Sequence, residues 1–353
     1  DDMYSRLLVA RTLLRPDGVI FISMDDHEIH HLRKVCDEVF GEENFLVNII
    51  WEKRQTRSNN SKLFGTNTEH IVCYRRSQEI IDIKEPRTDS ANALYSNPDN
   101  DPRGLWTSIL YTNPALREER PNLCYTITNP FTGEEIEHPT NAWKYEYNTY
   151  LQHVSENRLW WGQDGRNKYP RLKKFLSDME GGMVPTNIWK SEDAGTTDKA
   201  TTELESLIGR GIFPFPKPAQ LVQKAISYII NKEEDKDCIV LDFFAGSGTT
   251  GHAVMNQNMK DGGHRKFILV QIPQLTDENS NARRAGYKTI SEITIARNKA
   301  VVERYLKESE GKILDEEYKQ QLNQLGFKVF TLSKSSFPRT DFAPDPTKNE
   351  EEN

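Results

Sequence analysis

The stretch LDFFAGSGTTGHAVM, residues 241–255, joins a short apolar run to a glycine-rich turn and a helical pattern. The apolar run 238–244 predicts a buried strand, and a helix is expected from about Thr249. Gly246 and Gly248 allow a sharp turn and let a ligand approach the N–H groups at the helix start. A tight strand-to-helix turn that binds nothing fits the same letters. A phosphate loop is excluded because no Gly-Lys-Ser/Thr follows, and the third glycine of the dinucleotide fingerprint is missing.

The segments around this stretch alternate between helical and strand patterns. An apolar stripe at helical spacing occupies 3–14, a turn follows at 15–18, and Asp25-Asp26 precede a helix that stops at Gly41. Another helix follows Pro218, with Ile229 and Ile230 on its apolar face, and more helices are expected near 290–308 and 315–324. The predicted strands are 19–24, 45–51, 69–74, 238–244, 266–272 and 328–332. Buried strands linked by helices predict an α/β fold with a mostly parallel sheet.

Residues 85–205 differ from the rest of the chain in amino-acid composition and in hydrophobic periodicity. Five of the six Trp fall there, Asn, Pro and Gly are frequent, and periodicity is weak. This predicts a domain inserted between two parts of one α/β domain, 1–84 and 206–340. The acidic tail 341–353 is expected to be disordered.

Composition narrows the class of protein. The 353 residues carry a net charge of −7, and no stretch approaches the ~20 apolar residues that cross a bilayer. The first residues show no signal-peptide pattern, so a cytoplasmic protein without membrane contact is expected. The chain starts with Asp1 inside a helical pattern, which suggests a fragment of a longer protein. The four Cys are far apart and predict neither a disulfide framework nor a zinc site.

The string His27-Glu28-Ile29-His30-His31 matches H-E-x-x-H, which on a helix places two His one turn apart beside a Glu base. A zinc protease is therefore one alternative. The string directly follows a strand and the acidic pair Asp25-Asp26, and no other protease element is present. A solvated helix face is preferred, and no metal is predicted.

Two windows are basic despite the negative total. Residues 51–76 hold six basic against two acidic residues, and 158–174 hold six against one, beside Trp160-Trp161. Positive charge with aromatic rings can serve phosphate contacts and base stacking, although solvated faces explain each window taken alone. The predicted DNA-binding residues are Lys53, Arg54, Arg57, Lys62, Arg166, Lys168, Arg171, Lys173 and Lys174. If they bind DNA, both windows should face one cleft beside the glycine turn.

Seven blocks in order resemble a known family over about residues 3–340. They are LLRPDGVIFISMDDHE, FGEENFLVNIIW, TEHIVCYRR, FPFPKPAQL, LDFFAGSGTTGHAVM, GGHRKFILVQIPQ and GYKTISEI. The chain resembles the methylation subunit of type III restriction–modification systems, which is a β-class DNA adenine-N6 methyltransferase. The resemblance implies an S-adenosylmethionine-dependent methyltransferase fold, Rossmann-like, in which 85–205 is the target-recognition domain. It also implies duplex DNA as substrate, a restriction subunit as partner, and a homodimer.

The resemblance assigns 242–250 as the S-adenosylmethionine loop, closed by the segment around Lys217 and Pro218, with Asp25 bordering the active-site cleft. Many methyltransferases place an acid for the ribose hydroxyls where this chain has Gln271, which can still hydrogen-bond them. The implied cofactor-binding residues are Asp242, Phe243, Phe244, Ala245, Gly246, Ser247, Gly248, Thr249, Thr250, Lys217, Pro218, Gln271 and Asp25.

One family motif is missing. Methyl transfer to the exocyclic amine of adenine needs the base flipped from the duplex, stacked and hydrogen-bonded, and in the family a D-P-P-Y motif does this. None of the 353 residues form it; the nearest strings, at 97–99 and 129–131, lie in the insertion. No catalytic residue is therefore assigned, and the chain alone is expected to be inactive. The alternatives are a DNA-binding specificity fragment without activity, and a methyltransferase of RNA or small molecules.

Overall fold

A computed structural model describes residues 2–56, 63–80, 82–85, 87–179, 182–228 and 236–333. Arg57, Lys62, Ile229, Ile230 and the tail 341–353 lie outside these ranges. The strands are β1 Val19–Met24, β2 Phe45–Glu52, β3 Thr68–Arg75, β4 Trp106–Leu110, β5 Thr112–Leu116, β6 Ile127–Thr128, β7 Glu135–Ile136, β8 Asn141–Trp143, β9 Leu159–Trp160, β10 Arg171–Phe175, β11 Ile188–Trp189, β12 Ile239–Asp242 and β13 Lys266–Leu269.

Helices precede, separate and follow these strands. They are α1 Asp2–Leu13, α2 Ile29–Phe40, α3 Asp89–Asn92, α4 Tyr147–Ser155, α5 Ser191–Ala194, α6 Thr197–Ile208, α7 Ala219–Ser227, α8 Thr249–Asp261, α9 Asn281–Arg284, α10 Ile290–Ser309 and α11 Glu316–Gln324. Short 3-10 turns occupy Glu42–Asn44, Pro121–Leu123 and Ser177–Met179. Among the described helices, none is long and apolar enough to cross a membrane.

The chain divides into two compact units. The first comprises Asp1–Ala194 with Lys224–Asp235, and the second comprises Gly195–Gln223 with Lys236–Asn353. The first unit thus contains both the predicted 1–84 segment and most of the predicted insertion. Helix α6 belongs to the second unit, although most of it lies inside the predicted 85–205 range. The predicted domain limits stay a prediction.

The sheet of the first unit has the strand order β1-β3-β2-β11. Strand β3 pairs antiparallel with both β1 and β2, so β1 and β2 run the same way, and β11 is parallel to β2. The expectation of a mostly parallel sheet is wrong for this part of the α/β fold. No helix is described between β2 and β3, and consecutive strands without a crossover helix pair antiparallel. Leu7 of α1 and Leu32, Cys36 and Val39 of α2 pack together in its core.

The insertion has a core of its own. Strands β4, β10 and β9 form an antiparallel sheet, and β5–β8 and β6–β7 are separate antiparallel pairs. The buried residues that define what we call the aromatic core are Tyr111, Ile127, Ile136, Trp143, Tyr150, Trp161 and Leu172. Large rings fill the space between strands that are too short to bury much surface themselves.

The second unit contains the predicted strand–turn–helix. Strands β12 and β13 pair parallel, α8 follows β12, and α10 begins with a capping box between Thr289 and Glu292. The predicted last strand 328–332 is wrong: these residues form no regular element, and Phe330 is 84% exposed. A run of residues with high strand propensity forms a strand only where it pairs with another strand.

Candidate functional site

The turn after β12 is closed by the Asp242 carboxylate. Its Oδ1 accepts a hydrogen bond from the Phe244 N–H at 3.0 Å, and its Oδ2 accepts one from the Thr250 hydroxyl at 2.6 Å. The carboxylate therefore ties the end of the strand to the first turn of α8. Residues 242–250, called the glycine loop from here on, fold as the sequence predicts.

Gly246 and Gly248 adopt left-handed backbone conformations, with φ of 52° and 80°. A Cβ on Gly248 would lie 2.4 Å from Asn298 Nδ2 and 2.9 Å from the Thr294 carbonyl oxygen. Only glycine avoids both the strain and the overlap at this position. A Cβ on Gly246 would lie 3.6 Å from the Phe213 ring, in ordinary contact. Helix α10 thus leaves no space for a side chain at Gly248, whereas there is space for an atom beside Gly246.

The loop presents one half-exposed aromatic ring above buried small residues. Phe244 is 51% exposed and lies 5.1 Å from the Phe243 ring, whereas Ala245, Ser247 and Thr249 are buried. Helix α8 begins directly behind them, and the first N–H groups of a helix have no partner within the helix. The combination offers an apolar face and anion-attracting donors to a ligand.

Gln271 follows β13 and contacts the loop. Its Oε1 accepts a hydrogen bond from the Gly246 N–H at 2.7 Å, and its Nε2 donates to the Ile272 carbonyl at 3.0 Å. Both ends of the side-chain amide are therefore engaged with backbone. Each end keeps one further hydrogen-bonding position, the second lone pair of Oε1 and the second N–H of Nε2, so the predicted contact with ribose hydroxyls stays a prediction.

The segment 213–218, which includes Lys217 and Pro218 of the predicted cofactor-binding set, contacts the glycine loop through the Lys217 carbonyl. The Thr249 hydroxyl donates to the Lys217 carbonyl at 3.1 Å. Phe215 of this segment is 76% exposed and has a φ of 51°, which is uncommon for an aromatic residue. The structure thus brings two stretches predicted to bind one ligand into contact within the second unit.

Asp25 belongs to the first unit, and its predicted place beside the glycine loop stays a prediction. Its Oδ1 accepts a hydrogen bond from the His27 N–H at 3.1 Å, and this bond contributes most to lowering the pKa of Asp25. The neighbouring Asp26 carboxylate lies 2.9 Å from Nε2 of His70. Both carboxylates follow the last residue of β1.

The H-E-x-x-H string does not form the helical pair that a zinc site needs. Helix α2 starts at Ile29, so His27 precedes it. His27 Nδ1 is 3.2 Å from Asp25, and His31 Nδ1 is 3.0 Å from Glu28. Among the residues that the structure describes, no group of three or more His, Cys, Asp or Glu is placed to hold a metal. The protease alternative has no geometric support.

Two of the predicted DNA-binding residues of the first window are described, and two are not. Lys53 Nζ is 3.7 Å from the Glu69 carboxylate, and Arg54 is partly buried. Arg57 and Lys62 fall in the undescribed range 57–62. Their predicted contact with DNA stays a prediction.

The second window separates into exposed and structural cations. Arg166 and Lys168 are exposed, whereas Lys174 is partly buried and Arg171 donates to the hydroxyl and carbonyl of Ser108 at 2.7 and 2.9 Å. Lys173 is 1% exposed.

Lys173 is a correction to the predicted DNA-binding set. Its ammonium contacts the carboxylate of Asp99 and lies 2.9 Å from Asp101. A cation held by two carboxylates in the interior cannot reach a phosphate. Trp161, expected to stack on bases, is 2% exposed and belongs to the aromatic core.

The nearest substitute for the missing motif is a structural turn. Asn129 is 2% exposed; its Nδ2 donates to the Gly165 carbonyl at 2.9 Å and its Oδ1 accepts from the Phe131 N–H at 2.8 Å. Because its amide is used on both sides, it offers nothing to a flipped base. Among described residues, 129–131 therefore does not replace D-P-P-Y.

Sequence reasoning missed a buried polar cluster behind the glycine loop. Arg297 of α10 is fully buried, and its Nη1 lies 3.0 Å from the Ser247 hydroxyl and 2.7 Å from that of Thr249. Burial lowers the pKa of Arg297 to about 10, which leaves the side chain charged at neutral pH. Burial also lowers the pKa of His252 well below its usual value, so this neighbour is neutral. The signal was that the polar residues 294, 297 and 298 lie at the same helical spacing as the apolar residues Ile293 and Val301, with which they form the buried face of α10.

A family model described as DNA methylase matches residues 1–294. The chain is 36% identical over 295 residues to the type III restriction-modification enzyme StyLTI Mod subunit of Salmonella typhimurium, covering 83% of this chain and 43% of that protein. It is 32% identical over 318 residues to the EcoPI Mod subunit of Escherichia phage P1, covering 83% and 48%. It is 30% identical over 305 residues to the type II methyltransferase M.KpnI of Klebsiella pneumoniae, covering 83% and 71%. The chain spans about half the length of the Mod subunits it matches.

Proposed function

This chain belongs to the DNA methylase family, and we propose that it is part of an adenine-N6 DNA methyltransferase that uses S-adenosylmethionine. The observation that carries the proposal is the glycine loop, because its left-handed glycines, half-exposed Phe244 and helix start form a cradle for a small ligand. The helix start suits the carboxylate of the cofactor, and the Phe244 ring suits a flat base. When bound, the cofactor would supply the methyl group.

The residues proposed to hold the cofactor are those of the second unit that contact one another. The glycine loop provides the backbone, the 213–218 segment lies against it, and Gln271 fixes the Gly246 N–H. Asp25 stays proposed as a cofactor-binding residue on the family resemblance alone. Asp242 stays in the proposed cofactor-binding set, and its two carboxylate oxygens also hold the turn.

Binding of the cofactor is tested by calorimetry with the 353-residue chain and S-adenosylmethionine. One-to-one binding is expected, and no heat at saturating cofactor would contradict the proposal. A shift assay with duplex DNA then tests the insertion as the recognition region. A pure DNA-binding fragment would shift DNA without taking up the cofactor, so the two assays separate the alternatives.

We further propose that this chain alone does not complete the transfer, because none of its 353 residues form D-P-P-Y. Without that motif, nothing assigned here accepts hydrogen bonds from the adenine amine, which is a poor nucleophile with a delocalised lone pair. Incubation with labelled S-adenosylmethionine and duplex DNA should give no label on adenine. Transfer by the chain alone would overturn this proposal while leaving the cofactor site intact.

The proposed partners follow from the similarity to Mod subunits of type III restriction-modification enzymes. They are duplex DNA, a restriction subunit and a second copy of the chain. Sedimentation of the chain alone, and then with a restriction subunit encoded beside it, tests both assemblies. A monomer that does not co-sediment would contradict them.

A further inference from the structure

We infer that Arg297, together with Thr294 and Asn298 of α10, is a positioning residue that holds the glycine loop in the conformation that binds the cofactor. The inference rests on the proposed function of that loop. Helix α10 follows, along the chain, all the segments predicted to touch the cofactor. None of the three side chains was predicted to take part.

The three side chains contact successive residues of the loop. The Thr294 hydroxyl donates to the Gly246 carbonyl at 2.6 Å, and Asn298 Nδ2 donates to the Gly248 carbonyl at 3.2 Å. Between them, Arg297 donates to the hydroxyls of Ser247 and Thr249. Spacings of three and four residues place these side chains on one face of the helix. Four consecutive residues, 246–249, thus have a partner on α10.

Arg297 also connects the loop to the other predicted cofactor segment. Its Nη2 lies 3.0 Å from the Glu203 carboxylate, which in turn accepts a hydrogen bond from the Ala219 N–H at 3.5 Å. Ala219 directly follows Pro218, and the Lys217 carbonyl is bonded to Thr249. One buried cation therefore fixes both stretches that are proposed to enclose the ligand.

The contacts at this position suit an arginine better than a lysine. A guanidinium offers several donors in a fixed plane, so one group can serve two hydroxyls and a carboxylate. His252 and Arg304 lie on the same side, and a neutral His cannot balance the charge. Glu203 does so. Removing Arg297 would leave Glu203 uncompensated, so the two residues must be replaced together in a fair test.

The test compares two buried ion pairs of the second unit by calorimetry with S-adenosylmethionine. In Arg297–Glu203 the side-chain exposures are 0% and 28%, and in Arg265–Asp261 they are 0% and 24%. The variants are Arg297→Met/Glu203→Leu and, as the control, Arg265→Met/Asp261→Leu, whose pair does not contact the loop. We expect cofactor affinity to fall at least ~10-fold in the first variant and less than ~3-fold in the control. Equal affinities in two folded variants would overturn the inference.

A milder variant keeps the inference testable if the double variant does not fold. Thr294→Val removes one hydroxyl bond to Gly246 with little change of shape, and Thr202→Val removes an exposed hydroxyl bond to the Asp198 carbonyl as its control. Weaker cofactor binding is expected only for Thr294→Val. Arg297→Lys with Glu203 intact should restore part of the affinity, because a lysine keeps the charge but lacks the planar fork.

Amide hydrogen exchange without cofactor separates this inference from the proposed function. If α10 positions the loop, exchange of the amides of 246–250 should be faster in Thr294→Val than in the parent chain. Failure of the parent to bind the cofactor would remove the proposed function, and the exchange result would still decide whether α10 holds the loop. Unchanged exchange in that variant would overturn the positioning role.

Discussion

The glycine loop and the aromatic core achieve order by different means. The loop has a carboxylate, an amide and a guanidinium bonded to its backbone and hydroxyls, all within the second unit. The aromatic core is filled by rings such as Tyr111, Trp143 and Tyr150 between strands of two to five residues. Directional bonds hold the backbone of the glycine loop in one conformation, whereas ring packing fills the interior of the insertion.

Loss of a central ring should be the largest effect, and it should be confined to the aromatic core. Trp143 is 1% exposed and its Nε1 donates to the Tyr125 carbonyl at 2.7 Å. Trp143→Ala should cost about 3–5 kcal/mol of unfolding free energy. We expect DNA shift activity to disappear while calorimetry still detects the cofactor. The control is Phe131→Ala, because Phe131 is 71% exposed. Equal losses of unfolding free energy and of DNA binding in the two variants would contradict the comparison.

A side chain at Gly248 should have the reverse effect of the Trp143 variant: it should weaken cofactor binding and leave DNA binding intact. Gly248→Ala adds left-handed strain and an overlap with Asn298 and Thr294, together on the order of 3 kcal/mol, or ~100-fold in affinity. Calorimetry should show loss of cofactor binding, with DNA binding retained. Gly133→Ala has a similar φ of 72° and no atom within 4 Å of its Cβ, so it carries the strain without the overlap. Cofactor affinity should be unchanged in that control.

Low pH should destabilise the fold of the insertion because the carboxylate of Asp101 becomes protonated. A hydrogen bond from Arg103, followed by one from Lys173, lowers the pKa of this carboxyl. A lowered folded-state pKa gives stability that is complete above the unfolded value of about 3.9 and is lost as the pH falls below it. Asp101→Asn should cost ~1–3 kcal/mol at pH 7 and much less near pH 2. Thermal unfolding at both pH values checks this; an equal cost at both would contradict it.

The smallest expected effect concerns exposed cations of the insertion. Each of the variants Arg166→Ala and Lys168→Ala should bind DNA with a weaker salt dependence and with unchanged stability. The slope of the logarithm of the binding constant against the logarithm of the salt concentration should become shallower by about one in each variant. Lys319→Ala, a cation of α11 paired with Glu316, should change nothing. A slope that stays constant in the first two variants would remove them from the DNA-binding set.

Local patterns predicted the glycine loop, because Asp242, the glycines and the helix start are close in sequence. Pairing between distant segments was harder: β3 lies antiparallel between β1 and β2, which apolar runs alone do not reveal. Charge counts also failed at Lys173, since a window shows that cations are present but not which are buried beside Asp99. Arg297 was missed for the same reason, because its partner Glu203 is 94 residues away.

We propose that the glycine loop, and no part of the insertion, binds the cofactor. The most direct measurement is amide hydrogen exchange of the 353-residue chain with and without saturating S-adenosylmethionine. We predict slower exchange in 243–250 and in the neighbouring 217–221, with no change across β4 and β10. Unchanged exchange in the glycine loop, or protection confined to the insertion, would contradict the account.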